Sequence, residues 1–303
     1  MPNLKDIKSR ISSVQNTKKI TKAMKMVAAA KVKKAENTVK AARPFSDELL
    51  HLFRKMLTQA GEYTVSGLRV QRALDNYPEL LKKREIKTQG LLVITSNKGL
   101  AGAYNSNIVK AVLKRVKENA QAGVKTVIYP VGQKAVSALK HSGGGFELRE
   151  GYIGIANDPT ATGANIIAED IADDFVSGKI DEIDIITTHF NNMMSYSVVA
   201  WDVLPVSVEK AETHELDPVM EFEPSVHAVL QQLVPMYITN SIYQALLEAN
   251  ASELASRMTA MSAASNNAEE MITTLTVDYN KARQAAITQE LVEIVSGAQG
   301  VSN

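Results

Sequence analysis

From Met236 to Ser296 the chain carries neither proline nor glycine, so nothing along that run interrupts a helix. Small or apolar residues recur there at alternating steps of four and three: Leu247, Ala251, Leu254, Met258, Met261, Ser265, Ala268, Ile272, Leu275, Tyr279, Ala282 and Ala286. This is the seam of a coiled coil, sustained well past three heptads. At 1.5 Å per residue the helix reaches roughly 90 Å, whereas a compact globule of this length is only about 50 Å across. A helix longer than its own globule, with an apolar seam along it, needs a partner helix.

The other end of the chain supplies one. Asn3 to Arg43 also lacks glycine and proline, and helix formers continue to about Ala60. Leu4, Ile7, Ile11 and Val14 form one stripe; Ile20, Met24 and Val27 continue it after a phase shift, and Val32, Ala35 and Val39 after another, the pattern of stutters in a coiled coil. Its polar face is basic (Lys5, Lys8, Arg10, Lys18, Lys19, Lys22, Lys25, Lys31, Lys33, Lys34, Lys40, Arg43), while the last helix leans acidic (Glu248, Glu253, Glu269, Glu270, Asp278, Glu290, Glu293). The two ends are natural antiparallel partners. The expected organisation is a coiled-coil helix over 1–60, a central α/β domain with connectors over 61–208, and a connector with the second coiled-coil helix over 209–303.

The middle reads as strands alternating with helices, which implies a largely parallel sheet with helices on its faces. Strands are expected at Gly90–Thr95, Val124–Val131, Phe146–Ile153, Ile183–Phe190 and Tyr196–Val206, the last two as a hairpin. Helices are expected at Asn105–Ala120, Gln133–His141 and Ala161–Ser177. Gly61–Lys87 and Glu209–Glu223 are connectors.

Composition and motifs then remove most catalytic chemistries. A formal net charge of +1 gives no global field for nucleic acid, and the absence of cysteine excludes disulfides, thiolate metal sites and thiol catalysis. No run is long enough to span a membrane. The turn SNKGLAGAYN after the first strand invites a phosphate-binding reading, but Lys98 precedes Gly99 and Ala101 breaks GxGxxG, so a tight strand-to-helix turn is favoured. Ser142-Gly143-Gly144-Gly145 reads as a flexible loop. The five histidines are scattered without ligand spacing, and the carboxylates Asp173, Asp174, Asp181, Glu182 and Asp184 read as a solvated face. No active site, cofactor site or metal site is expected. The basic N-terminal face has a competing reading as a nucleic-acid or anionic-membrane surface, but it lacks aromatics to stack on bases. A transit peptide is disfavoured because the helical pattern runs unbroken far beyond a presequence.

Four segments also carry a resemblance: IKSRISSVQNTKKITKAMKMVAAAKVKKAE, the turn TSNKGLAGAYN, the connector FEPS, and ASELASRMTAMSAASNNAEEMITTLTVDYNKARQAAITQELVEIVSGA. In this order they resemble the gamma subunit of F-type ATP synthase. The resemblance implies an antiparallel coiled coil flanking a central Rossmann-like α/β domain. That coil would serve as an asymmetric shaft inside a ring of three alpha and three beta subunits, and the α/β domain would stand on the membrane rotor ring of c subunits with the epsilon subunit. Proton flow would turn ring and shaft together and force each beta catalytic site through its conformations, while the shaft itself would bind no nucleotide.

By the same resemblance Arg283 and Gln284 correspond to a polar pair that catches a beta-subunit loop, and Lys18, Lys22 and Lys25, around Met24, to a basic segment near an acidic lever loop of beta. Leu291, Val292, Ile294 and Val295 would form the apolar bearing tip, with Ala285 and Ala286 keeping the profile thin. Two departures stand out. Asn97, Lys98 and Ala101 replace the more acidic, cysteine-bearing start of the glycine turn found in many members. The connector before the last helix is short and free of cysteine, which rules out the thiol regulation of photosynthetic members. The Met-Pro start favours the cytoplasmic face of a bacterial inner membrane. A free-standing coiled-coil adaptor with an α/β head is the alternative.

Overall fold

The computed structural model describes residues 4–62, 79–206, 223 and 226–301. Much of the two expected connectors, Gly61–Lys87 and Glu209–Glu223, lies outside the described residues. Helix α1 spans Leu4–Glu62 and the last helix, α5, spans Val226–Val301. Between them come β1 (Thr88–Ile94), α2 (Tyr104–Gln121), β2 (Lys125–Val131), α3 (Gln133–Lys140), β3 (Glu147–Leu148), α4 (Ala161–Val176), β4 (Glu182–Asn192) and β5 (Ser195–Leu204). The chain divides into two compact units, one of residues 1–30 with 257–303 and one of residues 31–256.

In the first unit the two helices run antiparallel, and Lys18 Nζ reaches Glu269 Oε1 at 2.9 Å. Ile7, Thr21, Ala28, Met261 and Ala268 are buried along it. Every seam position named above in α5 from Met258 to Ala286 is buried or half-buried, as expected from the alternating four-three spacing. The expected stripe in α1 holds at Leu4, Ile7, Ile11, Val14 and Met24 but slips by one residue at Ile20 and Val27, which are 60% and 58% exposed. Thr21 and Ala28 are buried in their place and Lys18 is half-buried. The reason is local: Thr21 Oγ1 donates to the carbonyls of Thr17 and Lys18, so its hydroxyl is satisfied within the helix and the residue can be buried. Lys18 buries its stem while its ammonium group reaches out to Glu269.

In the second unit one five-stranded sheet has the order β3-β2-β1-β4-β5, parallel except for β5, which pairs antiparallel with β4. Because strand side chains alternate between faces, the sheet sorts its apolar residues into two cores. Leu92, Ile94, Tyr129, Ile183 and Ile185 pack with α4 (Ile167, Ile171, Phe175), with α5 from Leu230 to Ala249, and with Leu49 and Phe53 of α1. Leu91, Val93, Ile128 and Ile186 face α2 and α3. A third cluster places Phe190, at the end of β4, against Val32 and Val39 of α1 and Leu247, Ala251 and Ala255 of α5.

Three local differences from the sequence reading have identifiable causes. Helix α5 begins at Val226 and runs through Pro235 rather than starting after it. The proline forfeits one backbone hydrogen bond, but Leu230, Leu233, Val234, Ile238 and Ile242 around it are all buried on the sheet, each contributing roughly 1.5–3 kcal/mol. The third strand shrinks from the expected 146–153 to two residues. Arg149 N–H bonds Ile128 O and Tyr152 N–H bonds Pro130 O, so the chain bulges between them at Gly151, where an added Cβ would collide with Val136. Third, the expected solvated carboxylate face is largely structural. Asp173 is exposed, but Asp174 and Asp184 are buried.

Those two carboxylates are held differently. Asp174 accepts from Tyr129 Oη at 2.7 Å, Arg149 Nη2 at 2.9 Å and Lys179 Nζ at 2.6 Å. Although its burial acts the other way, these cationic and hydroxyl donors hold its carboxyl below the usual range. Asp184 faces α2 and is bound by Gln89 Nε2 at 3.0 Å and Arg115 Nη2 at 3.1 Å, with Glu182 and Asp202 nearby. Burial first, and then its acidic neighbours, push its carboxyl up to about 7. Asp181 accepts the backbone N–H groups of Lys87 and Thr88, both at 3.0 Å, and so fixes the entry to β1.

Candidate functional site

The residues singled out in the sequence lie on α1 and α5 within the first unit. Lys22 and Lys25 are exposed on α1, Met24 is half-buried toward the seam, and Lys18 is engaged by Glu269. That hydrogen-bonded pair, with Lys22 adding its field, lowers the Glu269 carboxyl below its ordinary range. An exposed pair of this kind is screened by solvent, so it marks register rather than adding stability. On the same register Leu4, where α1 begins, lies about level with Arg283 of α5. Arg283 and Gln284 are exposed at that level, and Ala285 and Ala286 are half-buried. Further on, α5 presents Leu291, Val292, Ile294 and Val295, all more than half exposed. The basic segment and the Arg283–Gln284 pair therefore sit at different levels of the coil, about four to six helical turns of α1 apart by that register, and the apolar tip is carried by α5 further on.

The glycine turn is closed upon itself. Tyr104 N–H bonds Ala101 O, Ser96 N–H bonds Asn105 Oδ1 and Ser96 Oγ donates to Lys98 O. Asn97 ties the turn to its neighbours, donating to Ile153 O and accepting from Gln133 N–H at the start of α3. Leu100, with φ of 64°, and Gly102, with φ of 55°, make the reversal. Ser256 Oγ donates to Ala101 O at 2.6 Å, and Tyr104 Oη donates to Ala249 O at 3.1 Å, which fastens the turn to α5. This is a strand-to-helix turn docked on a helix. Among the described residues no group of three or more His, Cys, Asp or Glu side chains is placed to hold a metal ion, and no helix is long and apolar enough to cross a membrane.

Paired terminal helices, an α/β domain inserted between them and a glycine turn fastened to a helix define a coiled-coil protein with an α/β head. The comparisons with known proteins say which. The family model described as ATP synthase matches residues 3–301. The ATP synthase gamma chain of a Picosynechococcus species is 41% identical, covering 99% of this chain and all of that one, and that of Trichormus variabilis is 40% identical, covering all of both. Among solved structures, the central stalk and c-ring of Tetrahymena thermophila mitochondrial ATP synthase contains a chain 29% identical with a TM-score of 0.56, over 81% of this chain and 99% of that one. A chain of the Euglena gracilis mitochondrial ATP synthase shares the fold, with a TM-score of 0.65 at 18% identity, over 98% and 94% of the two chains. The chain belongs to the F-type ATP synthase gamma-chain family, whose members are non-catalytic coupling subunits.

Proposed function

We propose that this chain is the central rotary shaft of a proton-translocating F-type ATP synthase, seated in a ring of three alpha and three beta subunits and joined below to the epsilon subunit and the c-subunit rotor ring. The carrying observation is that the first and last helices pair antiparallel along the seam of the first unit in a chain matched end to end by gamma chains. An asymmetric two-helix shaft presents a different face to each of three surrounding sites as it turns, and this drives them through their conformations in sequence.

On this reading Lys22, Lys25 and Lys18, beside Met24, meet an acidic loop of beta by charge steering, and Arg283 with Gln284 offers planar donors to a second loop. Leu291, Val292, Ile294 and Val295 form the bearing surface, where apolar contacts without directional bonds let the tip slide. The chain would be peripheral, held at the cytoplasmic face of a bacterial inner membrane through the complex. The similarity to cyanobacterial gamma chains supports that placement.

The test is ATP hydrolysis by purified cognate alpha and beta subunits with and without this chain. Sustained turnover that depends on the chain is expected. Arg283→Ala should slow it several-fold, the loss of about 1–1.5 kcal/mol from one charge-assisted contact made at one dwell. Absence of both assembly and stimulation with well-folded partners would overturn the reading and return the question to a coiled-coil adaptor.

A further inference from the structure

The second unit contains a buried polar joint that the rotary reading does not by itself require. Glu248 of α5 is 1% exposed. Its carboxylate accepts from Arg43 of α1 (Nε at 2.9 Å, Nη2 at 3.1 Å), from Gln244 Nε2 at 3.0 Å, and from the backbone N–H of Phe190, at the end of β4, at 2.7 Å. Arg43 Nη2 also donates to Phe190 O at 2.8 Å. His189 Nδ1 stands 3.4 Å from the same carboxylate. One guanidinium, one carboxylate and the backbone N–H and C=O of one sheet residue thus close a ring of hydrogen bonds across three elements, while the Phe190 side chain packs against both helices.

We infer that Arg43 and Glu248 are positioning residues for rotary coupling: they set and stiffen the angle at which the sheet is carried on the two helices. The inference rests on the shaft reading. The physical reason is that apolar packing is non-directional and resists separation better than rotation, whereas charge-assisted, bidentate bonds specify direction. The pair is also a poor route to stability, because desolvating the Glu248 carboxylate offsets much of its attraction to Arg43, whose side chain stays one-third exposed. What it supplies here is geometry, in a place where torque entering through the α/β domain must reach both helices.

The test uses the assembled complex, immobilised through beta, with a bead attached to a cysteine introduced as Lys140→Cys at the exposed end of α3. The chain has no native cysteine, so the attachment point is unique within it, and the partner subunits are used in cysteine-free form. The variant Arg43→Met with Glu248→Gln leaves no buried charge, and the amide oxygen can still accept from Phe190 N–H. Arg43→Lys keeps the charge but loses the fork. In complexes that hydrolyse ATP at the native rate, the angular variance of the stationary bead should rise about twofold in the double variant, as when one of two comparable restraints in parallel is removed. Arg43→Lys should fall between. Native variance in both variants, with native hydrolysis, would overturn the inference, as would poor assembly with native variance in every complex that does form, which is the mark of a merely stabilising pair. If the unaltered chain supports no bead rotation at all, it is the shaft reading that fails.

Discussion

The buried Asp184 yields the most quantitative expectation. Its carboxyl stands at about 7 in the folded chain against an ordinary 3.8. Unfolding releases it to water, so between about pH 4 and pH 7 the folded state binds more protons than the unfolded state. For that sign of difference, stability from this group falls as pH rises through the window and levels off above pH 7. Each pH unit costs at most about 1.4 kcal/mol, so the whole window is worth about 4 kcal/mol as an upper size. Asp184→Asn removes the titration while keeping an acceptor for Gln89 and Arg115 and adding a donor toward Asp202 or Glu182. The stability advantage of this variant over the native chain should therefore grow from pH 4 to pH 7 by about 2–4 kcal/mol and then stay constant. Urea unfolding of both chains at pH 5, 6, 7 and 8, with equal m-values, measures it directly. Parallel pH profiles for the two chains would refute the reasoning, because they would mean that Asp184 is already ionised in the folded state at acid pH.

Other expectations follow from single contacts. Gly132 has φ of 92° and an added Cβ would collide with Thr95 O, so Gly132→Ala should lower stability by about 2–3 kcal/mol in the same unfolding assay. Ile20→Lys on the outward face of α1 should change helix pairing little, whereas Ala28→Lys, at a buried seam position, should weaken it by several kcal/mol, read by circular dichroism on heating. Tyr104→Phe removes the hydrogen bond to Ala249 O and should cost about 1 kcal/mol while leaving the fold intact.

Periodicity and breakers made much of this architecture legible. Uninterrupted helix formers at both ends, opposite in charge, determine two long helices and their antiparallel pairing, since helix length and seam are local properties of spacing. The strand-helix alternation determines a parallel sheet closed by a hairpin, because apolar runs and turn residues act over a few positions. The quoted segments likewise carried the family. What the sequence left open depends on which groups meet across long separations. Ile20 and Val27 look like seam residues by composition, yet Thr21 and Ala28 face inward because the helix phase is set over its whole length. Asp174 and Asp184 look like solvated loop acids until Arg149, Tyr129, Arg115 and Gln89 are brought around them. Arg43 and Glu248 read only as members of opposing charged faces, and the one sequence signal is that Glu248 directly follows a seam position, Leu247. That Phe190 would close a ring with them was decided by tertiary structure alone: hydrogen-bond direction among α1, β4 and α5 exists only once the sheet is folded against both helices.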